Sequence, residues 1–246
     1  MSQPAVVLIS GWAMPAIAME RLAEALDADD RRVSIVQLPG LVGEPSQECS
    51  WDSLLSYLDL HLFDKQVVLV GWSMGGMLAS MYANRHPENV AGVVTLSSNA
   101  CFVKNSEWVP AMEPAMFAGF QAGVEHDCAA TLQQFTMLCS AGSFDRKARA
   151  KELQTIMGET ELEPVILQSM LKLLGSSDVR SVLACLRCPV VHILGKGDAL
   201  VPEAAAEQLG ETFPRHRVHL INGGHCFFMD DPSLVVREIQ YLCSQG

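Results

Sequence analysis

Short apolar runs alternate with segments of helical period through the first hundred residues of the chain. The apolar runs predict strands at Val6–Ile9, Val33–Val36, Val67–Val70 and Ala91–Leu96. The segments between them predict helices over residues 16–26, 51–62 and 74–86. Ser50 is a suitable N-cap for the second helix, and Pro87 ends the third. Almost wholly apolar strands separated by helices are typical of a parallel sheet covered on both faces.

The pattern changes after Ser98. No strand is indicated between residues 99 and 177, and helical periodicity predicts helices over residues 111–122, 128–139, 146–157 and 164–174. Methionine and phenylalanine are frequent in this region, including Met112, Phe117, Phe120 and Phe135. Most such side chains form the core of their own helices, and the more specific hypothesis is an inserted helical subdomain with an apolar inner face.

Alternation returns at Val179. Strands are predicted at 190–194 and 218–221, with helices at 179–186, 202–209 and 232–242. Asp231 and Pro232 give the last helix a clear start, a capping side chain before proline. The sequence thus predicts an α/β core formed by residues 1–98 and 178–246, with an all-helical lid inserted at residues 99–177.

Composition narrows the function classes. Apolar residues make up 49% and charged residues 18%, which excludes a disordered chain. A net charge of −11 argues against binding to nucleic acid or to an anionic membrane. No apolar run approaches the roughly 18 residues of a membrane helix, and the first residues predict a strand and not a secretory signal. We therefore expect a cytoplasmic monomer.

The eight cysteines are spread irregularly along the chain, unlike those of a small disulfide scaffold. Cys185 and Cys188 form a single C-x-x-C without a second pair or nearby histidines. Reduced thiols are the simpler interpretation, and no metal or cofactor is expected.

The strongest chemical signal is Gly71-Trp72-Ser73-Met74-Gly75, followed by Gly76. It lies directly after a predicted strand and before a predicted helix, which is where a G-x-S-x-G motif presents a nucleophile. The glycines leave room for a strained turn, and the helix N-terminus directs N–H groups at developing negative charge. The motif predicts Ser73 as a nucleophile.

A serine nucleophile needs a histidine base and an orienting carboxylate, in the chain order Ser–Asp–His for this motif. Asp198 follows the predicted strand 190–194, and His225 follows the strand 218–221. Both therefore fall at the carboxyl ends of strands, beside Ser73. Competing groups are a core histidine, a helix-capping aspartate and histidines on helices or at element ends: His192, Asp178, His61, His86, His126, His216 and His219.

The oxyanion hole requires two backbone N–H donors. The Met74 N–H follows the nucleophile, and the second donor normally comes from the loop after the first strand. That loop is Ser10-Gly11-Trp12-Ala13, in which glycine permits close approach to a substrate. We predict the N–H groups of Trp12 and Met74 as the two donors.

These motifs resemble the α/β-hydrolase superfamily across the whole chain. Within it, the chain is similar to the pimeloyl-[acyl-carrier protein] methyl ester esterases of biotin synthesis. The motifs that carry this resemblance are Gly11-Trp12, Gly71–Gly76, Ser97–Phe102, Glu107-Trp108, Gly119–Gln121 and the region of Phe135. One position departs from the family pattern, since Ser10 stands where a histidine is usual.

The resemblance implies a cofactor-free serine esterase that removes the methyl group from a pimeloyl ester delivered by an acyl-carrier protein. It implies a substrate pocket formed by Trp12, Ser73, Met74, Phe135, Thr136, Met137, Leu138, Cys139 and His225. Acyl-carrier proteins are acidic, and four of the 17 basic residues of this acidic chain lie within residues 146–151. Arg146, Lys147, Arg149 and Lys151 are therefore the predicted docking patch for the carrier, with a solvated helix face as the alternative.

Three alternatives remain open at this stage. A general short-chain carboxylesterase would use the same residues without a carrier protein. A carbon–carbon bond hydrolase of the same fold would need a dienol substrate. A catalytically inactive binding protein would not need the complete set of Ser73, Asp198 and His225.

Overall fold

The computed structural model describes residues 4–27, 32–38, 49–62, 66–158 and 163–244. Its strands are β1 (Val6–Ile9), β2 (Val33–Val36), β3 (Val67–Trp72), β4 (Val90–Leu96), β5 (Val190–Gly195) and β6 (Arg217–Ile221). All six pair in parallel, in the order β2-β1-β3-β4-β5-β6. The four central strands are buried along their whole length or nearly so, as continuous apolar runs require.

The helices are α1 (Glu20–Asp27), α2 (Trp51–His61), α3 (Met74–Arg85), α4 (Pro114–His126), α5 (Cys128–Cys139), α6 (Arg146–Gly158), α7 (Pro164–Ser176), α8 (Arg180–Cys185), α9 (Ala204–Thr212), α10 (Phe227–Asp230) and α11 (Ser233–Ser244). A 3₁₀ turn, Ala16–Met19, leads into α1. Helices α1 and α11 contact each other on one side of the sheet, and α3 packs between α2 and α8 on the other. The fold is the predicted α/β arrangement, with a parallel sheet flanked by helices.

Strand order fixes where a site can form. The chain moves outward from β1 to β2 and then returns to place β3 on the other side of β1. The loops that follow β1 and β3 therefore separate at a topological switch point, the crevice in which open α/β sheets bind ligands. Ser73 and the Ser10–Ala13 loop both leave the sheet at this crevice.

Helices α4–α7 form the insertion, and its two ends meet at the edge of the core. Cys101 pairs with Asp178 in an antiparallel bridge, and the Val179 N–H donates to the Ala100 carbonyl at 2.9 Å. Within the insertion α4 packs on α5 and α7, and α5 packs on α6. Apart from isolated bridges, the described part of residues 99–177 contains no strand, as the periodicity predicts.

Most predicted boundaries agree closely with the structure. The helix predicted over residues 16–26 differs, because Ala16–Met19 form a 3₁₀ turn and the α-helix begins at Glu20. The helix predicted from residue 111 begins at Pro114, because proline suits the first helical position and Met112 is instead bridged to Val103. The helix predicted from Pro202 begins at Ala204. The predicted caps are present: Ser50 accepts from the Ser53 N–H, and Asp231 accepts from the Ser233 N–H.

A buried polar chain lies beneath the sheet edge. Thr95 Oγ1 contacts His192 Nδ1 at 2.7 Å, and His192 Nε2 contacts His216 Nδ1 at 3.0 Å. Burial lowers the pKa of His192 to about 3, and His216 contributes to the same shift. Burial, with the nearby Arg215, lowers the pKa of His216 to about 4. His192 is thus the satisfied core residue that the sequence predicts.

This histidine pair should make the fold sensitive to acid. The unfolded chain protonates these imidazoles near pH 6.5, well above their folded pKa values, so stability falls as the pH drops below that point. We expect His216→Gln to reduce the loss of unfolding free energy between pH 7 and pH 5, measured by urea denaturation. His126→Gln, at an exposed histidine, is the control. An unchanged pH dependence in His216→Gln would contradict the assignment.

Candidate active site

Ser73 occupies a strained turn between β3 and α3. Its backbone angles are φ 56° and ψ −119°, outside the regions that most non-glycine residues adopt. A side chain at Gly71 would overlap the backbone of Gly75, so the turn closes only with glycine at that position. The Ser73 side chain is held at the carboxyl end of β3 and lines a cavity beneath the insertion.

The same turn brings the two predicted oxyanion donors together. A Cβ on Gly75 would overlap the carbonyl oxygens of Ile9 and Ser10, so the first turn of α3 lies directly on the end of β1. The backbone N–H groups of Met74 and Trp12 make no hydrogen bond within the described ranges. This approach places the loop after β1 beside the nucleophile, as an oxyanion hole requires.

Two side chains hold the loop after β1. Ser10 Oγ donates to the Met14 carbonyl at 2.7 Å, so the serine found in place of the usual histidine closes the loop itself. The Trp12 indole N–H donates to the Leu167 carbonyl in α7 at 2.8 Å. Trp12 also packs edge-on against Phe120 and Phe135, with ring centroids 5.8 and 5.0 Å away. The indole therefore joins the oxyanion loop to three helices of the insertion.

Asp198 and His225 meet at the end of β5 and β6, as their positions in the sequence predict. His225 Nδ1 lies 2.8 Å from Asp198 Oδ2, and both side chains are almost fully buried. The other carboxylate oxygen of Asp198 accepts the N–H groups of Leu200 and Val201, at 2.8 and 3.0 Å. These bonds orient the carboxylate toward Nδ1, which fixes the proton there and leaves Nε2 as the basic nitrogen.

A hydrogen bond joins the loop of His225 to the strand that ends in Ser73. Trp72, the residue before Ser73, donates its indole N–H to the His225 carbonyl at 2.8 Å. His225 Nε2 is buried and has no hydrogen-bond partner among the described residues. The arrangement therefore has an oriented imidazole with one open acceptor beside the strand that ends in Ser73.

The cavity next to Ser73 is almost wholly apolar. Its walls come from the oxyanion loop, the nucleophile, the insertion and the loop after Asp198: Trp12, Ser73, Phe102, Met112, Phe117, Phe120, Phe135, Leu171, Leu174 and Leu200. Among the described residues, no charged side chain lines it. A neutral, extended hydrocarbon group fits this environment better than a charged one.

The predicted substrate residues divide into two groups. Trp12, Ser73 and Phe135 line the cavity. The prediction that all of residues 135–139 do so is wrong, because helical geometry turns successive side chains of α5 to different sides. Thr136 faces a separate space between α5 and α6, and Met137 is 41% exposed. Leu138 and Cys139 pack into the core, and the side chains of Met74 and His225 are buried outside the cavity lining.

Sequence reasoning missed part of the wall. Four lining residues were not predicted as part of the cavity wall, and their only signal is an apolar side chain on the insertion or after an active-site loop. They are Phe102, Leu171, Leu174 and Leu200. Met112, Phe117 and Phe120 belong to the methionine and phenylalanine pattern that indicated an apolar inner face. That hypothesis agrees with the lining, while the other members of the pattern pack elsewhere.

Three of the four residues of the predicted docking patch are exposed, and the fourth is buried. Arg146, Lys147 and Lys151 are exposed on α6. Arg149 is not part of this surface, because its side chain is only 6% exposed. Its guanidinium donates to the Met229 carbonyl and to Asp230. The expectation that Arg146 and Arg149 share an exposed face is therefore wrong.

The described part of the chain gives little support for a metal site, a reactive thiol or a membrane-spanning helix. It contains no group of three or more histidine, cysteine or acidic residues placed to hold a metal. Cys185 and Cys188 form no disulfide, and burial raises the pKa of Cys226, next to the base, to about 12. None of the described helices has the length and apolarity to cross a membrane. Ser73 remains the best-placed nucleophile.

Comparisons with known proteins identify the family of the chain. Residues 6–238 match the family described as alpha/beta hydrolase. The chain is 31% identical to the pimeloyl-[acyl-carrier protein] methyl ester esterase of Aeromonas hydrophila over 245 residues, covering 97% of this chain and 94% of that protein. The enzyme of the same name from Aromatoleum aromaticum is 34% identical, with 94% and 95% covered.

A longer relative and two solved structures complete the comparison. The biotin biosynthesis bifunctional protein of Cellvibrio japonicus is 33% identical over 98% of this chain, which spans 47% of that protein. A bromoperoxidase from Bacillus anthracis superposes with a TM-score of 0.87 at 23% identity, covering 99% and 92% of the two chains. An esterase from Exiguobacterium antarcticum gives 0.87 at 18% identity, covering 98% and 93%. These structures support the fold.

The geometry predicts that the three polar residues act as a unit. We expect Ser73→Ala and His225→Ala each to lower kcat by roughly 10⁴–10⁶, and the double variant to be little worse. Asp198→Asn should cost about as much or less, since it disturbs the His225 tautomer but keeps the nucleophile. Steady-state kinetics on a small aryl ester provides the measurement. Additive losses in the double variant would show that the residues do not cooperate.

Proposed function

Because the chain belongs to the alpha/beta hydrolase family and to its branch of pimeloyl-[acyl-carrier protein] methyl ester esterases, we propose that it hydrolyses the methyl ester of a carrier-bound pimeloyl group. The observation that carries the chemistry is the Asp198–His225 hydrogen bond beside the strained turn of Ser73. In this proposal the enzyme frees the pimeloyl carboxylate for biotin synthesis. It works in the cytoplasm as a monomer, without a metal or organic cofactor.

Acylation begins with attack of Ser73 Oγ on the ester carbonyl. His225 Nε2 accepts the hydroxyl proton, and Asp198 stabilises the imidazolium that results. The carbonyl oxygen becomes an oxyanion, which the N–H groups of Trp12 and Met74 bind. Collapse of the tetrahedral intermediate expels methanol, which takes the proton from His225, and leaves an acyl group on Ser73.

Deacylation repeats the sequence with water. His225 removes a proton from a water molecule, whose oxygen attacks the acyl carbonyl, and the same two N–H groups hold the second oxyanion. The intermediate then breaks the bond to Ser73 Oγ, which regains its proton from the imidazolium. The pimeloyl carboxylate is released with its carrier still attached at the far end.

The cavity supports an acyl chain as the group that is recognised. Its apolar wall suits the methylene chain of a pimeloyl group, and each methylene removed from water contributes about 0.8 kcal/mol. The absence of a facing charge disfavours the ionised product more than the neutral ester. An apolar cavity of this kind therefore favours both binding of the neutral ester and release of the ionised product.

The exposed cations of α6 support a transient contact with an acidic carrier. Arg146, Lys147 and Lys151 form the proposed patch, now without Arg149. None of the residues that line the cavity belongs to α6, which packs on the other side of α5. Such a patch would act by steering the carrier to the insertion and not by touching the acyl chain.

Phe135 should determine preference for chain length. We expect Phe135→Ala to lower kcat/KM for a pimeloyl methyl ester about tenfold more than for a methyl acetate, the equivalent of losing contact with about two methylenes. The matched control is Phe144→Ala, since Phe144 is fully exposed. Equal losses on both esters would place Phe135 in the internal packing of the insertion.

A comparison of carrier-bound and carrier-free esters tests whether the carrier-bound ester is the substrate. We expect kcat/KM to be higher for the methyl ester on an acyl-carrier protein than for the same acyl chain on free pantetheine. Reversing Arg146, Lys147 and Lys151 to glutamate should remove this advantage, flatten its dependence on salt and leave the pantetheine ester unaffected.

The matched control for that experiment reverses three exposed basic residues elsewhere, Lys172, Arg187 and Arg237, with the same change in net charge. If the carrier gives no advantage to the unmodified enzyme, the general carboxylesterase is the better description. If both triple variants lose activity on the carrier-bound ester equally, the patch on α6 has no specific role.

A further inference from the structure

The turn between α5 and α6 lies against both loops that carry the acid and the base. A Cβ on Gly224, the residue before His225, would overlap the Ala141 carbonyl. Gly142, at φ 79°, leaves no space for a side chain between itself and Gly197, the residue before Asp198. The insertion thus touches the catalytic loops directly at this end, backbone against backbone.

The residue after the base is held from the same side. Cys226 Sγ donates to the Cys139 carbonyl at 3.2 Å, across the end of α5. The Phe144 N–H donates to Asp230 Oδ2 at 3.3 Å. The segment from His225 through α10 is therefore packed against residues 139–144 of the insertion along its length.

Arg149 completes this contact from the first turn of α6. Its Nη2 donates to the Met229 carbonyl at 2.8 Å and to Asp230 Oδ1 at 2.6 Å. These two residues end α10, where a helix leaves carbonyl groups without internal partners. The buried guanidinium of Arg149 thus donates hydrogen bonds to the Met229 carbonyl and the Asp230 carboxylate, at the end of the short helix that follows His225.

The positive charge of Arg149 is paired with two carboxylates, and Arg21 joins the same cluster of side chains. Glu152 on the same helix accepts from Arg149 Nη1, and Asp230 accepts from Nη2. Arg21 of α1 pairs with Glu152 at 3.2 Å and donates to the same Met229 carbonyl at 3.2 Å. Two arginines face two carboxylates, so the cluster presents no surplus cation to an acidic partner.

We propose that Arg149 is a positioning residue for His225, which acts through α10 to hold the imidazole against Asp198. The inference rests on the proposed esterase mechanism and assigns to Arg149 a role other than carrier docking. Without the guanidinium, Asp230 loses its ion pair and the Met229 carbonyl keeps only the longer bond from the exposed Arg21, so the His225 loop gains freedom. The effect should fall on the chemical step and not on binding of substrate.

The test compares Arg149→Met with Arg149→Lys, using Arg187→Met as the control at an exposed arginine. Kinetics on a small free ester should show kcat reduced about 10- to 100-fold in Arg149→Met, with KM within about twofold. Arg149→Lys should recover part of kcat. Arg187→Met should match the unmodified enzyme.

A second readout needs no substrate. The proton between His225 Nδ1 and Asp198 gives a downfield ¹H NMR resonance, which should broaden or shift in Arg149→Met and stay in Arg187→Met. Because it is observed in the free enzyme, it separates failure of this inference from failure of the proposed function. Activity that survives Ser73→Ala would instead reject the mechanism.

Circular dichroism and thermal unfolding first establish that each variant is folded. Should Arg149→Met fail to fold, Asp230→Asn takes its place. It keeps the bond from Arg149 to the Met229 carbonyl but removes the ion pair and one of the two acceptor oxygens, which bind Arg149 Nη2 and the Phe144 N–H. A smaller loss of kcat and a shifted resonance are then expected. The inference is overturned if a folded variant keeps both kcat and the resonance. It is also overturned if only KM for a carrier-bound ester changes.

Discussion

The geometry of the active site depends on close backbone packing between the first turn of α3 and the end of β1, where only glycine fits. Gly75, in the first turn of α3, lies against the carbonyl oxygens at the end of β1, and Gly71 closes the turn that precedes it. This packing holds Ser73 in its strained conformation and sets the loop after β1 beside the turn. The strain is held by a buried parallel sheet, whose central strands have no freedom to relax it.

The insertion has two distinct relations to the core. At one end Trp12 reaches into α7 and packs on two phenylalanines, so this part of the insertion forms the substrate wall. At the other end the α5–α6 turn and Arg149 hold the acid and base loops. The first of these ends lines the cavity beside Ser73, and the second packs against the loops that carry Asp198 and His225.

Sequence reasoning succeeded where chemistry is tied to a strand end. Ser73, Asp198 and His225 each follow an apolar run, so the topology of a parallel sheet brings them to one edge. Sequence reasoning failed where the burial of a side chain depends on a residue far away in the chain. The period of α6 shows that Arg146 and Arg149 are one turn apart, but burial of Arg149 follows from Met229 and Asp230, which pack on it from the far end of the chain. In α5, likewise, only the packing of α6 shows which side Thr136 faces.

The contact between Arg149 and Met229 has a consequence for synthesis of the protein. The nucleophile, the oxyanion loop and the whole insertion leave the ribosome before the residues that carry the base. Until then Arg149 has Glu152 on its own helix as a partner but lacks the Met229 carbonyl and Asp230. Only when α10 emerges does this charge find its carbonyl and carboxylate. Closing a loop over such a sequence separation has an entropic cost. The contacts that hold the loop of His225 can therefore form only after residues 225–230 have been synthesised.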